Sequence, residues 1–282
     1  MNDRPIIKPP VWTWEVPVYF YVGGLAGASA GVARLAEARG NGALARRASF
    51  VALGGAAVSP VLLISDLGRP DRFLHMLRMF KVTSPMSVGS WVLAGFGAAA
   101  SAGAADHLVR LPGGRLARTI AAGLGLPLAS YTAALVANTA VPAWHESRRS
   151  LPFVFVSGAA ASAGGALTLL TPAAAAGPAR RLAVGGAVAE IVATVAMERG
   201  LGELSDAYDR RLTRGGRAAF AVGGTIVAAG GGRSRAAAVA GGLLLNAGAF
   251  LTRWGVYKAG FRSARDRRHT VAPQRDRLQA AV

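Results

Sequence analysis

Charged residues along the chain are gathered into short clusters, and the stretches between them are apolar and free of charge. The uncharged runs are Val16 to Ala33, Ala48 to Ser65, Val82 to Ala105, Thr119 to Trp144, Ser150 to Ala179 and Ala236 to Thr252. A helix needs ~20 mostly apolar residues to cross a bilayer core about 30 Å thick, and each run is of that order. Two weaker runs complete the pattern. Leu182 to Met197 is broken only by Glu190, and Ala218 to Gly232 is short enough that the flanking Arg217 and Arg233 must reach out to the interface. The pattern predicts an all-α integral membrane protein with eight transmembrane helices.

An even number of spans places both termini on one side, called side A, together with the loops around residues 66–81, 145–149 and 198–217. Side A holds the larger share of Lys and Arg, most of the excess lying from Arg253 onward. Taken alone, this asymmetry puts side A in the cytoplasm. The first run reads as a span rather than a cleaved export signal, because Asp3 and Glu15 precede or open it and seven further runs follow. Gly23, Gly27 and Gly31 recur every four residues along it, a spacing that lets a neighbouring helix approach closely.

Composition narrows the chemistry. Of 282 residues, 52% are hydrophobic and only 16% are charged, against about a quarter charged in soluble domains. That excludes a disordered chain and argues against an ordinary soluble enzyme. The formal net charge of +18 comes largely from arginine. Its densest stretch, the 257–282 tail, lacks interleaved aromatics beyond Phe261 and reads as a disordered topology determinant, not a nucleic-acid surface. With no cysteine there is no disulfide, no Cys-ligated cluster and no thiolate nucleophile. No phosphate-cradling glycine loop occurs. His75, His107, His145 and His269 lie at span ends, in loops or in the tail, so the pattern offers no bis-histidine haem and no metal site. Any redox chemistry must be borrowed from a partner.

Two places carry candidate chemistry. Glu190 sits inside a span, where an ionisable group is costly. It reads either as a proton-relay residue or as a carboxyl held neutral by a helix-to-helix hydrogen bond, with Asn246 or Arg253 as possible neighbours. On side A, Asp66 closes the second span. Gly68 suits a helix C-terminal cap, Pro70 and Asp71 suit the first turn of an interfacial helix reaching Phe80, and Ser84 with Pro85 suit the start of the third span. This places Asp66, Arg69, Arg72 and His75 at the membrane surface.

The segment Ser65 to Trp91, SDLGRPDRFLHMLRMFKVTSPMSVGSW, resembles the signature of the NrfD family, quinone-interacting membrane subunits that include that of polysulfide reductase. Trp12 to Gly27, WTWEVPVYFYVGGLAG, resembles the family's first span, and Tyr131 to Phe153, YTAALVANTAVPAWHESRRSLPF, its fourth span and following loop. The resemblance is specific over roughly the first 160 residues and compositional afterwards. It implies two four-helix bundles. The first, 1–145, would carry the quinone site and the partner-docking loop, and the second would span 146–256. It further implies a respiratory oxidoreductase subunit of a prokaryotic cell membrane, inactive alone. Such a subunit exchanges electrons between menaquinone or ubiquinone and a four-cluster ferredoxin-like iron–sulfur partner, and through that partner a molybdenum enzyme or a multihaem cytochrome.

By position, Tyr131 matches a quinone-contacting tyrosine of the family. Tyr19 stands where polysulfide reductase has a histidine, and Val16 where it has an asparagine. Glu15, one helical turn before Tyr19, and Asp66 on the same side are the expected proton acceptors, with Arg69, Arg72 and His75 near the quinone and Glu190 on a path for translocated protons. For members with exported partners the resemblance puts side A outside, opposite to the charge count. Both directions of electron flow are open. The rival readings are an ion-coupled transporter, in which Glu190 and Asp66 line a substrate path, and a structural anchor without a quinone site.

Overall fold

The computed structural model describes residues 6–271, and among these the chain is helical, with no β-strand. The long helices are α1 (Glu15–Ala38), α2 (Gly42–Asp66), α3 (Pro85–Val109) and α4 (Gly114–Ala137), then, after the short α5 (Pro142–Glu146), α6 (Leu151–Leu170), α7 (Gly177–Leu201), α8 (Arg210–Gly230) and α9 (Arg235–Arg265). Six of these, α1 to α4, α6 and α9, are long and apolar enough to cross a membrane. Helices α7 and α8 are 25 and 21 residues long, roughly 30 Å or more at 1.5 Å per residue. They bring the long helices to the expected eight despite their charges.

Local chemistry sets the boundaries. Asn41, Ser84, Asp209 and Ser234 each accept a backbone N–H of the first turn they precede, capping α2, α3, α8 and α9. Asp209 also accepts from Arg262 of α9 at 2.7 Å. The Arg211 amide, then the Arg262 guanidinium, hold its carboxyl below the usual carboxylate range. Gly113, at φ 86°, makes the turn between α3 and α4 in a conformation other residues avoid.

Some boundaries differ from the sequence pattern. Leu67, extended at φ −76° and ψ 124°, ends α2, so Gly68 is not the cap, and its φ is not positive. The interfacial element is a 3-10 helix over Pro70–Leu77, shorter than the expected run to Phe80. The uncharged run from Thr119 to Trp144 contains both α4 and α5, and the run from Ser150 to Ala179 ends its first helix at Leu170 and starts α7 at Gly177. Pro142 and Pro178 occupy the first positions of the following helices, where a missing N–H costs nothing. The expected disordered tail from residue 257 is helical instead as far as Arg265, with another helical turn at 267–271. Its last part, 272–282, lies outside the described residues.

Packing divides the helices into two groups of four. Helix α1 packs on α2 and α4, and α3 on α2 and α4. In the second group α6 packs on α7 and α9, and α8 on α7 and α9, while α1 and α4 touch α6. Small residues permit these contacts. A Cβ on Gly27 would sit 2.3 Å from the Gly125 carbonyl, so α1 and α4 meet backbone to backbone there. Gly23 instead faces Tyr19 and Ser59, and nothing lies within 4 Å of a Cβ on Gly31, so the glycine stripe serves several neighbours and is open at its end.

One buried cation joins the two groups. Arg253 of α9, 1% exposed, donates to the carbonyls of Phe20 in α1 (3.4 Å), Phe155 in α6 (2.7 Å) and Ala249 in its own helix (3.1 Å). Gly24 and Gly158 leave room for the guanidinium, since a Cβ on Gly158 would lie 2.6 Å from Nη1.

Candidate functional site

At the side A end of the first helix group, apolar side chains fall short of filling the interior. The cavity left holds about 640 Å³ of space outside protein atoms, part of it open to the exterior. Its walls come from every element around it: Val16, Tyr19 and Phe20 of α1, Leu63 and Asp66 of α2, Phe73 and Met76 of the 3-10 helix, and Gly89, Leu93 and Tyr131 of α3 and α4. The segment before α1 closes it with Trp12. Trp12 stacks on Trp144 at 5.1 Å between ring centroids, and its carbonyl accepts from Tyr257 of α9 at 2.7 Å.

Tyr19, Tyr131 and Asp66 face this apolar slot from different helices, beside Ser90, whose hydroxyl donates to carbonyls of its own helix. The Tyr19 hydroxyl is buried and has no hydrogen-bond partner, an open valence that burial normally forbids. Tyr131 owes its place to Gly89. A Cβ at position 89 would lie 1.8 Å from Tyr131 Cζ, so the phenol rests in the notch that the missing side chain leaves. Asp66 points in from the last residue of α2, held by Thr13, whose backbone N–H donates to Oδ1 at 3.0 Å and whose hydroxyl lies 2.5 Å from the same oxygen. The same hydroxyl also contacts Glu15 Oε2.

The expected residues therefore separate into groups. Tyr19, Tyr131 and Asp66 are brought together on one cavity, and Val16 lines it beside them. Glu15 stands behind Asp66, joined to it through Thr13, and does not line the cavity. Arg69, Arg72 and His75 are exposed and lie outside its walls. Sequence reading missed Thr13, Trp12 and Gly89. Thr13 and Asp66 are 53 positions apart, so no local spacing signals their pairing, whereas a glycine four residues into α3 was a visible small-residue signal.

Glu190 is remote from this cavity, in the second helix group. It is 0% exposed, and its Oε1 accepts from Thr194 one turn on (3.0 Å) and from Thr252 of α9 (2.8 Å). Its Oε2 has no partner. The expected neighbours do not bond it. Asn246 accepts from Tyr21 at 2.7 Å and donates to Gly242, and Arg253 is committed to carbonyls. At the opposite end of the first group, called side B, Arg118 joins Glu37 and Asp106 at 2.5 and 2.7 Å. Among the described residues no group of three His, Asp or Glu side chains is placed to hold a metal ion.

No curated protein matches the chain. The family model described as polysulfide reductase, of the NrfD type, matches residues 6–266.

Proposed function

Because the chain belongs to the polysulfide reductase family of NrfD-type proteins, and so is a multi-pass membrane subunit of a redox complex, we propose that it exchanges electrons between the quinone pool and an iron–sulfur partner at the side A cavity. The observation that carries this reading is the convergence of Tyr19, Tyr131 and Asp66 on one apolar slot. Menaquinol or ubiquinol supplies two electrons and two protons on oxidation, and needs a flat apolar space with hydrogen-bonding groups at its oxygens. The chain offers such a space between Phe20, Leu63, Phe73 and Leu93. Tyr19 and Tyr131 orient the ring by donating to its oxygens, and the Asp66 carboxylate accepts a proton. Arg69, Arg72 and His75, exposed on the loop beside the cavity, belong in this reading to the surface that receives the four-cluster partner. That partner would pass electrons to or from a molybdenum enzyme or a multihaem cytochrome in a prokaryotic cell membrane.

Titrating a quinol analogue by fluorescence quenching against the complex purified with its co-purifying partner tests the site. Saturable binding is expected, weakened roughly tenfold in Tyr131→Phe and Asp66→Asn, about the value of one lost hydrogen bond. No binding by an intact, partner-bound preparation would sink the pocket and move the weight to a transporter or an anchor.

The buried carboxyl of Glu190, with one oxygen lacking a partner, favours a second activity, proton passage through the later helices. In reconstituted vesicles Glu190→Gln is expected to abolish proton translocation while quinol turnover continues. An unchanged proton-to-electron ratio would refute that path.

A further inference from the structure

Thr13 belongs to no helix, yet it is fixed from both sides. Trp12 before it is stacked and hydrogen-bonded as described, and Glu15 two residues on begins α1. Its hydroxyl lies between two carboxylates, Oδ1 of Asp66 and Oε2 of Glu15. A hydroxyl has one proton to donate and lone pairs to accept with. It can satisfy one carboxylate as donor; the other contact is then a hydrogen bond only if that carboxyl is itself protonated and donates to Thr13 Oγ1. When Asp66 takes up a proton it becomes such a donor, and the chain of contacts then runs from Asp66 through Thr13 to Glu15. Asp66 lines the cavity and Glu15 does not, so the two ends are chemically distinct.

We propose that Thr13 is a relay hydroxyl that carries protons from Asp66, inside the cavity, to Glu15 outside it. This rests on the quinol reading of the cavity. Each quinol oxidised releases two electrons to the iron–sulfur partner and two protons, taken one at a time by the Asp66 carboxylate. Protonated Asp66 donates to Thr13 Oγ1 as the original Thr13 proton passes to Glu15. One O–H bond forms at Oγ1 while another breaks, and Thr13 is unchanged. Glu15 then gives the proton to water and the set is ready again. Quinone reduction runs the same transfers backwards. The Tyr257 hydroxyl of α9 donates to the Trp12 carbonyl, and Thr13 is the residue that contacts both carboxylates.

The test uses the whole complex with its iron–sulfur partner and compares Thr13→Val, which keeps the shape and the backbone N–H, with Thr13→Ser, which keeps the hydroxyl. At saturating quinol, Thr13→Val is expected to lower kcat roughly 100-fold, the scale of a positioned proton-transfer group, with KM within about threefold. Its pH–rate profile should steepen towards alkaline pH as hydroxide replaces the relay. Thr13→Ser should restore kcat to within about threefold, and Glu15→Gln should show the Thr13→Val loss. Parental kcat in Thr13→Val, or equal losses in Val and Ser variants, would overturn the relay and leave Thr13 a structural strap. If Thr13→Val fails to assemble, Glu15→Gln decides, and parental kcat there overturns the relay. A parent complex that binds no quinol analogue overturns the site itself, a separate result.

Discussion

Gly89→Leu is expected to abolish saturable quinol-analogue binding, a loss of at least about 100-fold, while the helices remain assembled. The Tyr131 ring occupies the place a side chain at 89 would take, with Cζ 1.8 Å and the hydroxyl oxygen 2.1 Å from an ideal Cβ. Real Cβ atoms do not come that close, so the ring must swing away. Because Gly89 and Tyr131 both line the cavity, displaced ring and new side chain fill the space the ring of a quinol needs. Overpacking of this kind costs about 1–3 kcal/mol when neighbours can move, and an open cavity lets Tyr131 move. The expected signature is therefore lost binding with a melting temperature only slightly lowered. In a Tyr131→Ala background the same substitution should cost much less, because the colliding ring is gone and the two effects are not additive. Binding within about threefold of the parent in the single variant would show that quinol, if bound, lies elsewhere.

The spans were legible because the membrane imposes a coarse rule, and long uncharged runs obey it whatever their neighbours are. The rule fails at run ends, where proline and local hydrogen bonds decide: the run from Ser150 to Ala179 gives no sign in charge that Leu170 ends a helix. Asp66 and Tyr131 could be named in advance by motif resemblance, and Glu15 by its one-turn spacing from Tyr19. Side-chain direction could not. Whether Arg69 or Asp66 faces inward depends on how the chain leaves α2 at Leu67, a conformation that residue type alone does not fix. Similarly, Thr194 lies one turn from Glu190 and was available to sequence reasoning, whereas Thr252, 62 positions away, was fixed only by the register of α7 against α9.

Within the first helix group, side A holds a cavity whose tyrosyl oxygen is unpaired, and side B a carboxylate pair whose oxygens are bonded to arginine. Unpaired groups raise the energy of the folded state, whereas saturated ones contribute to holding helices together. The same contrast separates Glu190, with a free carboxylate oxygen, from Arg253, whose donors reach carbonyls of three helices.

Arg118→Met should accordingly be the most damaging change away from the cavity, lowering the melting temperature of the solubilised protein by roughly 5–10 °C. Arg118, near the start of α4, is 7% exposed. It donates to both oxygens of Glu37 at the end of α1, to Asp106 at the end of α3 and to the Gly103 carbonyl. Without it, two carboxylates remain together at the ends of helices, where the C-terminal dipole already disfavours negative charge, and neither keeps its cation. A methionine fills the volume, so the effect is electrostatic and does not come from a void. Replacing the carboxylates in the same background, as Glu37→Gln with Asp106→Asn, should recover most of the loss, because an uncompensated charge is costlier than an absent pair. Quinol-analogue affinity, read at the opposite end of the helix group, should stay within about threefold throughout. A variant Arg118→Met that melts with the parent would mean that water solvates the two carboxylates well enough to replace the guanidinium, and that α1, α3 and α4 are held at side B by their small-residue contacts alone.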